Sequence, residues 1–187
     1  MKNIAATTVL LNGFKAGDQS ASNQLLDIYR PLLLKWAHGR VPQQARDYLD
    51  TNDVVQDTMV LAFKNQAQLK ADGPGEFFCY LRQIFLNQIK QELRKNKPFQ
   101  VALTTQFTNS EKLAYEDDLN TMITYDAAIE KLNEKEKQAV IMRLEFGLSH
   151  QEIADLTDKN SPDAARVYIA RAVDKLGKLM LLQKKSD

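Results

Sequence analysis

Apolar residues recur at helical spacing through most of this chain, and only one long stretch breaks the rhythm. Residues 5–16 offer Val9, Leu10 and Phe14 for a short first helix, closed by Gly17 and Asp18. A second helix is expected from about Ser20 to Gly39, with Leu25, Leu26, Tyr29, Leu32, Leu33 and Trp36 on a wide apolar face and Pro31 inside the span. Pro42 to Tyr48 reads as a short connecting helix. Leu49–Lys64 follows, capped by Asp50 or Asn52, with Val55, Met59, Ala62 and Phe63 as its buried stripe. A polar loop over Asn65–Gly75 leads to a long helix over Glu76–Lys95, whose core side is Phe77, Leu81, Ile84, Phe85, Ile89 and Leu93. Residues 96–121 lose the period and read as a linker, too long for a turn within one compact domain. Helical spacing then resumes over Tyr125–Leu132. Asn133 with Glu136 marks the next helix start, and Ala139, Val140, Met142 and Leu144 continue it to Gly147.

Two helix starts in quick succession organise the last third. Ser149 with Glu152 forms a capping box, in which hydroxyl and carboxylate each satisfy an orphan backbone N–H. Ser161, Pro162 and Asp163 supply a cap, a pre-set φ and a first-turn acid. The first of these helices is short, with Ile153 and Leu156 as its stripe and Ala154 small enough for close approach. After the second start, Ala165, Ile169, Ala172 and Leu176 form one narrow apolar stripe, and Asp163, Arg166, Val167, Ala170 and Arg171 lie off it. A short helix, the polar turn Asp158-Lys159-Asn160 and a longer arginine-bearing helix describe a helix-turn-helix.

Composition narrows the class. In 187 residues there are seven glycines and five prolines, so an all-α fold is expected: two small helical domains, residues 1–95 and 122–187, joined by an extended linker over 96–121. One cysteine, Cys79, excludes an internal disulfide and a cysteine-rich metal site, which suits a reducing cytoplasm. His38 and His150 are far apart and lack carboxylates at ligand spacing, so no metal and no cofactor are expected. No apolar run reaches the length of a membrane span or a signal segment.

A net charge of +1 is too balanced for strong DNA binding by the chain alone, because non-specific affinity comes from phosphate neutralisation. Residues 1–95 carry 12 basic against 9 acidic side chains, residues 96–121 carry 2 against 4, and residues 122–187 carry 11 of each. A partner is therefore expected to supply much of any promoter affinity. Two local charge patterns fit that view. Asp53, Gln56 and Asp57 project together at i, i+3 and i+4, an acidic surface for a basic partner, although acids near a helix N-terminus are also favoured by the dipole. Arg82, Asn87, Lys90, Arg94 and Lys95 lie off the core side of the long helix, and its basic end beside aromatic residues suits phosphates and unstacked bases.

In this order and at these separations, the pieces resemble the extracytoplasmic-function sigma factors, the small two-domain branch of the sigma-70 family. Asp50, Asp53, Val54, Val55, Gln56, Asp57 and Thr58 match one family helix. Tyr80-Leu81, Ile84, Asn87 and Glu92-Leu93-Arg94 match the next. Glu152-Ile153-Ala154 and Arg171-Ala172 match the helix-turn-helix. The resemblance covers about residues 5–95 and 122–180. It implies a region 2-like bundle of four to five helices and a region 4-like helix-turn-helix domain, cytoplasmic, acting on promoter DNA with bacterial core RNA polymerase.

By that resemblance, Asp50, Asp53, Gln56 and Asp57 dock on the β′ clamp helices, and the second domain meets the β flap. The Gln66–Glu76 loop, with Asn87 behind it, takes a flipped base of the −10 element, while Arg82, Lys90, Arg94 and Lys95 track phosphates. The linker threads towards the RNA exit path, where an acidic segment mimics RNA. Arg166 and Arg171 reach into the −35 major groove with Asp163, Val167 and Ala170 around them, and Ser161 marks a helix N-terminus on a phosphate. The chain departs from the family where Asn52 replaces an acid, Phe85-Leu86 replace a small-then-basic pair and Tyr80 replaces a tryptophan. Thr51 and Thr58 lie in the charge-deficient stretch, so phosphorylation there by a Ser/Thr kinase would strengthen docking. Control by such a kinase or by an anti-sigma factor is expected to act in trans.

Three other readings stay in view. A free-standing helix-turn-helix regulator would bind its operator without polymerase and would carry a ligand or dimerisation site in residues 1–95. An enzyme would have to use Asp53 and Asp57, but no acid–base pair, phosphate loop or metal spacing accompanies them. An inactive sigma-like adaptor would bind core without initiating.

Overall fold

The computed structural model describes residues 7–38, 40–41, 45–106 and 108–183. Among them are nine α-helices and no strand. The chain divides into two compact units, one ending at Tyr115 and the other starting at Glu116.

In the first unit, α1 (Thr7–Lys15), α2 (Gln19–Ala37), α3 (Thr51–Lys64) and α4 (Pro74–Lys95) pack in sequence order, α1 on α2, α2 on α3 and α3 on α4. The caps are local. Asp18 accepts hydrogen bonds from the amides of Ser20 and Ala21 at 2.8 and 3.3 Å and starts α2. Asp50 accepts from the amide of Asn52 at 2.7 Å and starts α3, and Pro74 opens α4. Gly13 permits the close approach of α1 to α2, since a Cβ there would lie 2.7 Å from Cβ of Ala21. Tyr29 and Phe77 meet edge to face at 4.8 Å, Phe14 touches Phe63 and Phe77 at 5.5 and 6.0 Å, and Trp36 lies against Phe85 at 4.9 Å. Burial raises the Tyr29 phenol pKa, a shift opposed in part by its bond to the Thr7 hydroxyl.

Several expected details change. In α1 the buried residues are Thr7, Leu11 and Phe14, while Val9 is 75% exposed; residues 5–6 lie outside the described part. Residues 42–44 of the expected connecting helix also lie outside it, and Ala45–Tyr48 is a turn. The Asn65–Gly75 loop contains a 3-10 turn at Gln66–Gln68.

The largest difference concerns residues 96–121. They are not extended: α5 spans Lys97–Thr105 and α6 spans Asn109–Ile129. Phe99 is fully buried between Tyr48 and Tyr115, each ring 5.6 Å away, and Asn96 donates to the Tyr48 carbonyl at 2.6 Å while capping α5. These contacts fasten residues 96–115 onto the first unit. The start of α6 is capped by Thr108 and Glu111, whose groups bond reciprocally. A helix exposed on almost every side carries no apolar period, which is why its pattern reads as a linker.

The second unit holds the rest of α6, then α7 (Glu134–Val140), α8 (His150–Leu156) and α9 (Pro162–Gln183). Both expected capping boxes form, Asn133 with Glu136 and Ser149 with Glu152. After Val140 the helix widens to a π turn over Ile141–Glu145, closed by the Phe146 amide on the Ile141 carbonyl at 3.1 Å. This turn leaves Leu144 49% exposed and buries Ile141 and Met142. Gly147 then reverses the chain at φ +70°, in the left-handed region that glycine adopts without a Cβ penalty.

Candidate docking and nucleic-acid interfaces

Three exposed surfaces carry the candidate chemistry. On α3, Val54, Val55, Thr58, Met59 and Ala62 are buried, which turns Asp53, Gln56 and Asp57 outward, with Asn52 beside them. Asp50 is exposed and committed to capping the helix, so its carboxylate reinforces the negative end of this face while holding the backbone. Thr51 is partly exposed in the first turn. Thr58 is a correction: it is fully buried and its hydroxyl donates to the Val54 carbonyl at 2.8 Å, so a kinase cannot reach it in the folded chain.

On α4 a ridge of alternating three- and four-residue steps runs along the outer side: Glu76, Tyr80, Gln83, Asn87, Lys90 and Arg94. All except half-buried Tyr80 are exposed, and Lys95 is exposed beside the ridge. Gln83 donates to the Asn87 side chain at 3.3 Å, which fixes the amide's orientation. The Arg94 guanidinium bonds the Lys90 carbonyl at 3.2 Å. Arg82 is a second correction. It is 4% exposed, because α4 is covered over a wide arc that also takes in Phe78 and Leu86. Its guanidinium is part of the interior and not of the outer ridge. The loop before α4 is held at its end, where Lys15 pairs with Asp72 and the Asp72 amide donates to Glu76 at 2.7 Å. Tyr80, which sequence reasoning noted only as a replacement, has a buried hydroxyl without a hydrogen-bond partner, and burial raises its pKa.

The third surface is the helix-turn-helix. Ala165, Ile169, Ala172 and Leu176 are buried, so Asp163, Arg166, Val167, Ala170 and Arg171 form the exposed face of α9. Ser161 accepts from the Ala164 amide at 3.1 Å and caps the helix. Arg166 pairs with Asp163 at 3.4 Å, both exposed. The turn before α9 is braced by groups far apart in sequence. Lys135 bonds Asp158 at 2.7 Å, Lys159 contacts the same carboxylate at 3.2 Å, and the Lys159 ammonium lies 4.0 Å over the Tyr168 ring. The hydrogen bonds from Lys135 and Lys159 hold the Asp158 carboxyl at about 2. Lys175 bonds Glu136 at 2.7 Å and ties α9 to α7. The sequence carries no local signal for this brace, since Lys135 lies on α7 and Asp158 in the turn after α8, 23 positions later.

The model for sigma-70 region 2 matches residues 25–99, and the model for sigma-70, region 4 matches residues 123–176. The chain belongs to the sigma-70 family. Its relatives place it among the extracytoplasmic-function members: the ECF RNA polymerase sigma factor SigD of Mycobacterium bovis is 24% identical over 168 residues, covering 86% of this chain and 77% of SigD. SigD of Mycobacterium tuberculosis matches to the same extent. Among solved structures, a chain of the structure of CnrH in complex with the cytosolic domain of CnrY is similar at 24% identity and a TM-score of 0.42, over 94% of this chain and 97% of that one. The region 2 match spans α3, α4 and the loop between them, and the region 4 match spans the whole helix-turn-helix of this sigma factor up to Leu176. Among the described residues, no helix is long and apolar enough to cross a membrane and no acidic, histidine or cysteine cluster could hold a metal ion.

Proposed function

We propose that this sigma factor binds core RNA polymerase through α3 and directs it to promoters through α4 and α9. The observation that carries the reading is the pairing of opposite surfaces within one unit: an exposed acidic face at Asp53 and Asp57, and an exposed basic ridge at Lys90, Arg94 and Lys95. A regulator that bound DNA alone would have no use for the first, which repels phosphates. In this reading Asp50, Asp53, Gln56 and Asp57 dock on the β′ clamp helices. Asn87 and the loop before α4 read the −10 element, and Lys90, Arg94 and Lys95 follow its backbone. In the −35 major groove, Arg166 and Arg171 reach base edges or phosphates, Val167 and Ala170 give apolar contacts, and the Ser161–Asp163 turn lies against a phosphate. The second unit also meets the β flap, and regulation acts through a partner in trans, an anti-sigma factor or a kinase acting at Thr51. The chain makes and breaks no bond; the polymerase is the catalyst.

Mobility-shift experiments with the chain, core polymerase and both together test this. Specific retention of promoter-like DNA should need both proteins. Tight, specific binding by the chain alone would favour the free-standing regulator.

A further inference from the structure

The loop before α4 is fastened from α1, a helix that carries none of the surfaces described above. Lys15, the last residue of α1, pairs with Asp72 across 57 positions of sequence. Asp72 is held from its other side too, where its amide donates to the Glu76 carboxylate at 2.7 Å. At the start of the loop, α1 packs on the 3-10 turn, and a Cβ at Gly17 would lie 3.9 Å from the Gln66 side-chain nitrogen. Leu69 and Ala71 are buried, which leaves Gln68 and Lys70 as outward polar side chains. One group opposes this arrangement: the Gln66 side-chain oxygen is buried without a hydrogen-bond partner, a penalty that a shift of the turn would relieve. The loop therefore rests on a balance in which a modest tether at its far end decides the position.

We propose that Lys15 is a positioning residue for −10 readout, acting through Asp72 on the loop and touching no DNA itself. Its side chain is 24% exposed and its ammonium is neutralised by Asp72, so it is poorly placed to take a phosphate of its own. Asp72 is 85% exposed, so the pair adds little to stability. What it changes is the freedom of the loop end. Reading a base edge needs donors and acceptors held at hydrogen-bond distance and angle. A loop free to adjust accommodates a wrong base, and a tethered loop rejects it, so the tether acts on discrimination more than on affinity. The inference rests on reading this loop as the −10 reader, and it adds a residue outside the loop that sets its selectivity.

The test uses holoenzyme made from the full chain and purified core polymerase, on a promoter selected by the wild type and changed one base at a time through its −10 and −35 elements. Lys15→Met, which keeps the stem and removes the charge, should lower discrimination at −10 positions by up to about fivefold, the ceiling for an exposed pair. Discrimination at −35 and affinity for core should stay at wild-type values, which a general loss of folding would not allow. Lys15→Arg should read the −10 element like wild type, and Lys15→Asp combined with Asp72→Lys should recover most of what either change loses alone. Wild-type −10 discrimination in Lys15→Met would overturn the proposal. So would equal weakening on every sequence, which would put Lys15 on a phosphate, or a loss that the exchanged pair does not recover. Gln68→Ala with Lys70→Ala separates the two levels: if that loop variant loses −10 discrimination and Lys15→Met does not, the tether alone falls; if the loop variant discriminates like wild type, the loop reading falls and the tether with it. Should Lys15→Met fail to melt cooperatively, Asp72→Asn carries the same test, with the same −10 loss expected and its absence overturning the proposal.

Discussion

Restoring an acid at position 52 should tighten the grip on polymerase. Asn52 is exposed on the same side of α3 as Asp53 and Gln56; its backbone amide donates to Asp50 and its side chain makes no hydrogen bond among the described residues. Asn52→Asp therefore adds a carboxylate without displacing a side-chain contact. A unit charge pair at about 4 Å in a water-like dielectric is worth about 1 kcal/mol, which is roughly fivefold in affinity. Two other terms are smaller or cancel. Repulsion from Asp53 and Asp50 costs a few tenths of a kcal/mol, and the gain from an acid in the first helical turn is common to free and bound protein. Asp53→Arg works in the opposite sense: it removes one attraction and adds one repulsion, about 2 kcal/mol or roughly thirtyfold. Competition against fluorescent wild-type protein for core polymerase reads both changes, and both should shrink as salt rises from about 0.1 to about 1 M. Asn52→Asp binding no better than wild type at low salt, with Asp53→Arg weakened as expected, would refute the claim that charge on this face limits docking.

Three further outcomes are expected. Arg166→Ala should relax discrimination at one −35 position by about 1–3 kcal/mol without unfolding α9, because its exposed pair with Asp163 contributes under about 1 kcal/mol; a promoter-variant panel bound by holoenzyme reads this, and uniform weakening would place Arg166 on a phosphate instead. Phe99→Ala should cost the first unit about 3–5 kcal/mol and strip residues 97–115 of hydrogen-exchange protection, since Phe99 is fully buried between two tyrosines. The Asp158 carboxyl is depressed from 3.8 to about 2, so the stability it lends is present above about pH 4 and lost as pH falls towards 2; thermal melts in that window should fall more steeply for wild type than for Asp158→Asn.

What could be read from the sequence was local. Ser149 with Glu152 and Asn133 with Glu136 bond three residues apart, and all four residues of the Ala165–Leu176 stripe are buried. The outward placement of Asp53, Gln56 and Asp57 follows from the same periodicity once the buried residues of α3 are known. What could not be read depended on tertiary partners. Arg82 looks like a surface cation because nothing in its neighbourhood shows that α4 is covered over so wide an arc. Thr58 looks like a modifiable hydroxyl until its bond to the carbonyl one turn back is seen in a closed core. The helices at Lys97–Thr105 and Asn109–Ile129 are held by Tyr48, 51 positions before Phe99, and by a cap at Thr108, neither of which leaves an apolar period. The brace on Asp158 likewise joins parts far apart in sequence, Lys135 on α7 and the turn before α9.

Run-off transcription from a library of promoter-like templates, with purified bacterial core polymerase and this chain, tests the central claim most directly. Initiation at a defined start site should require the chain and fall sharply with Asp53→Arg. Specific DNA binding by the chain alone, with no initiation when core is added, would contradict it.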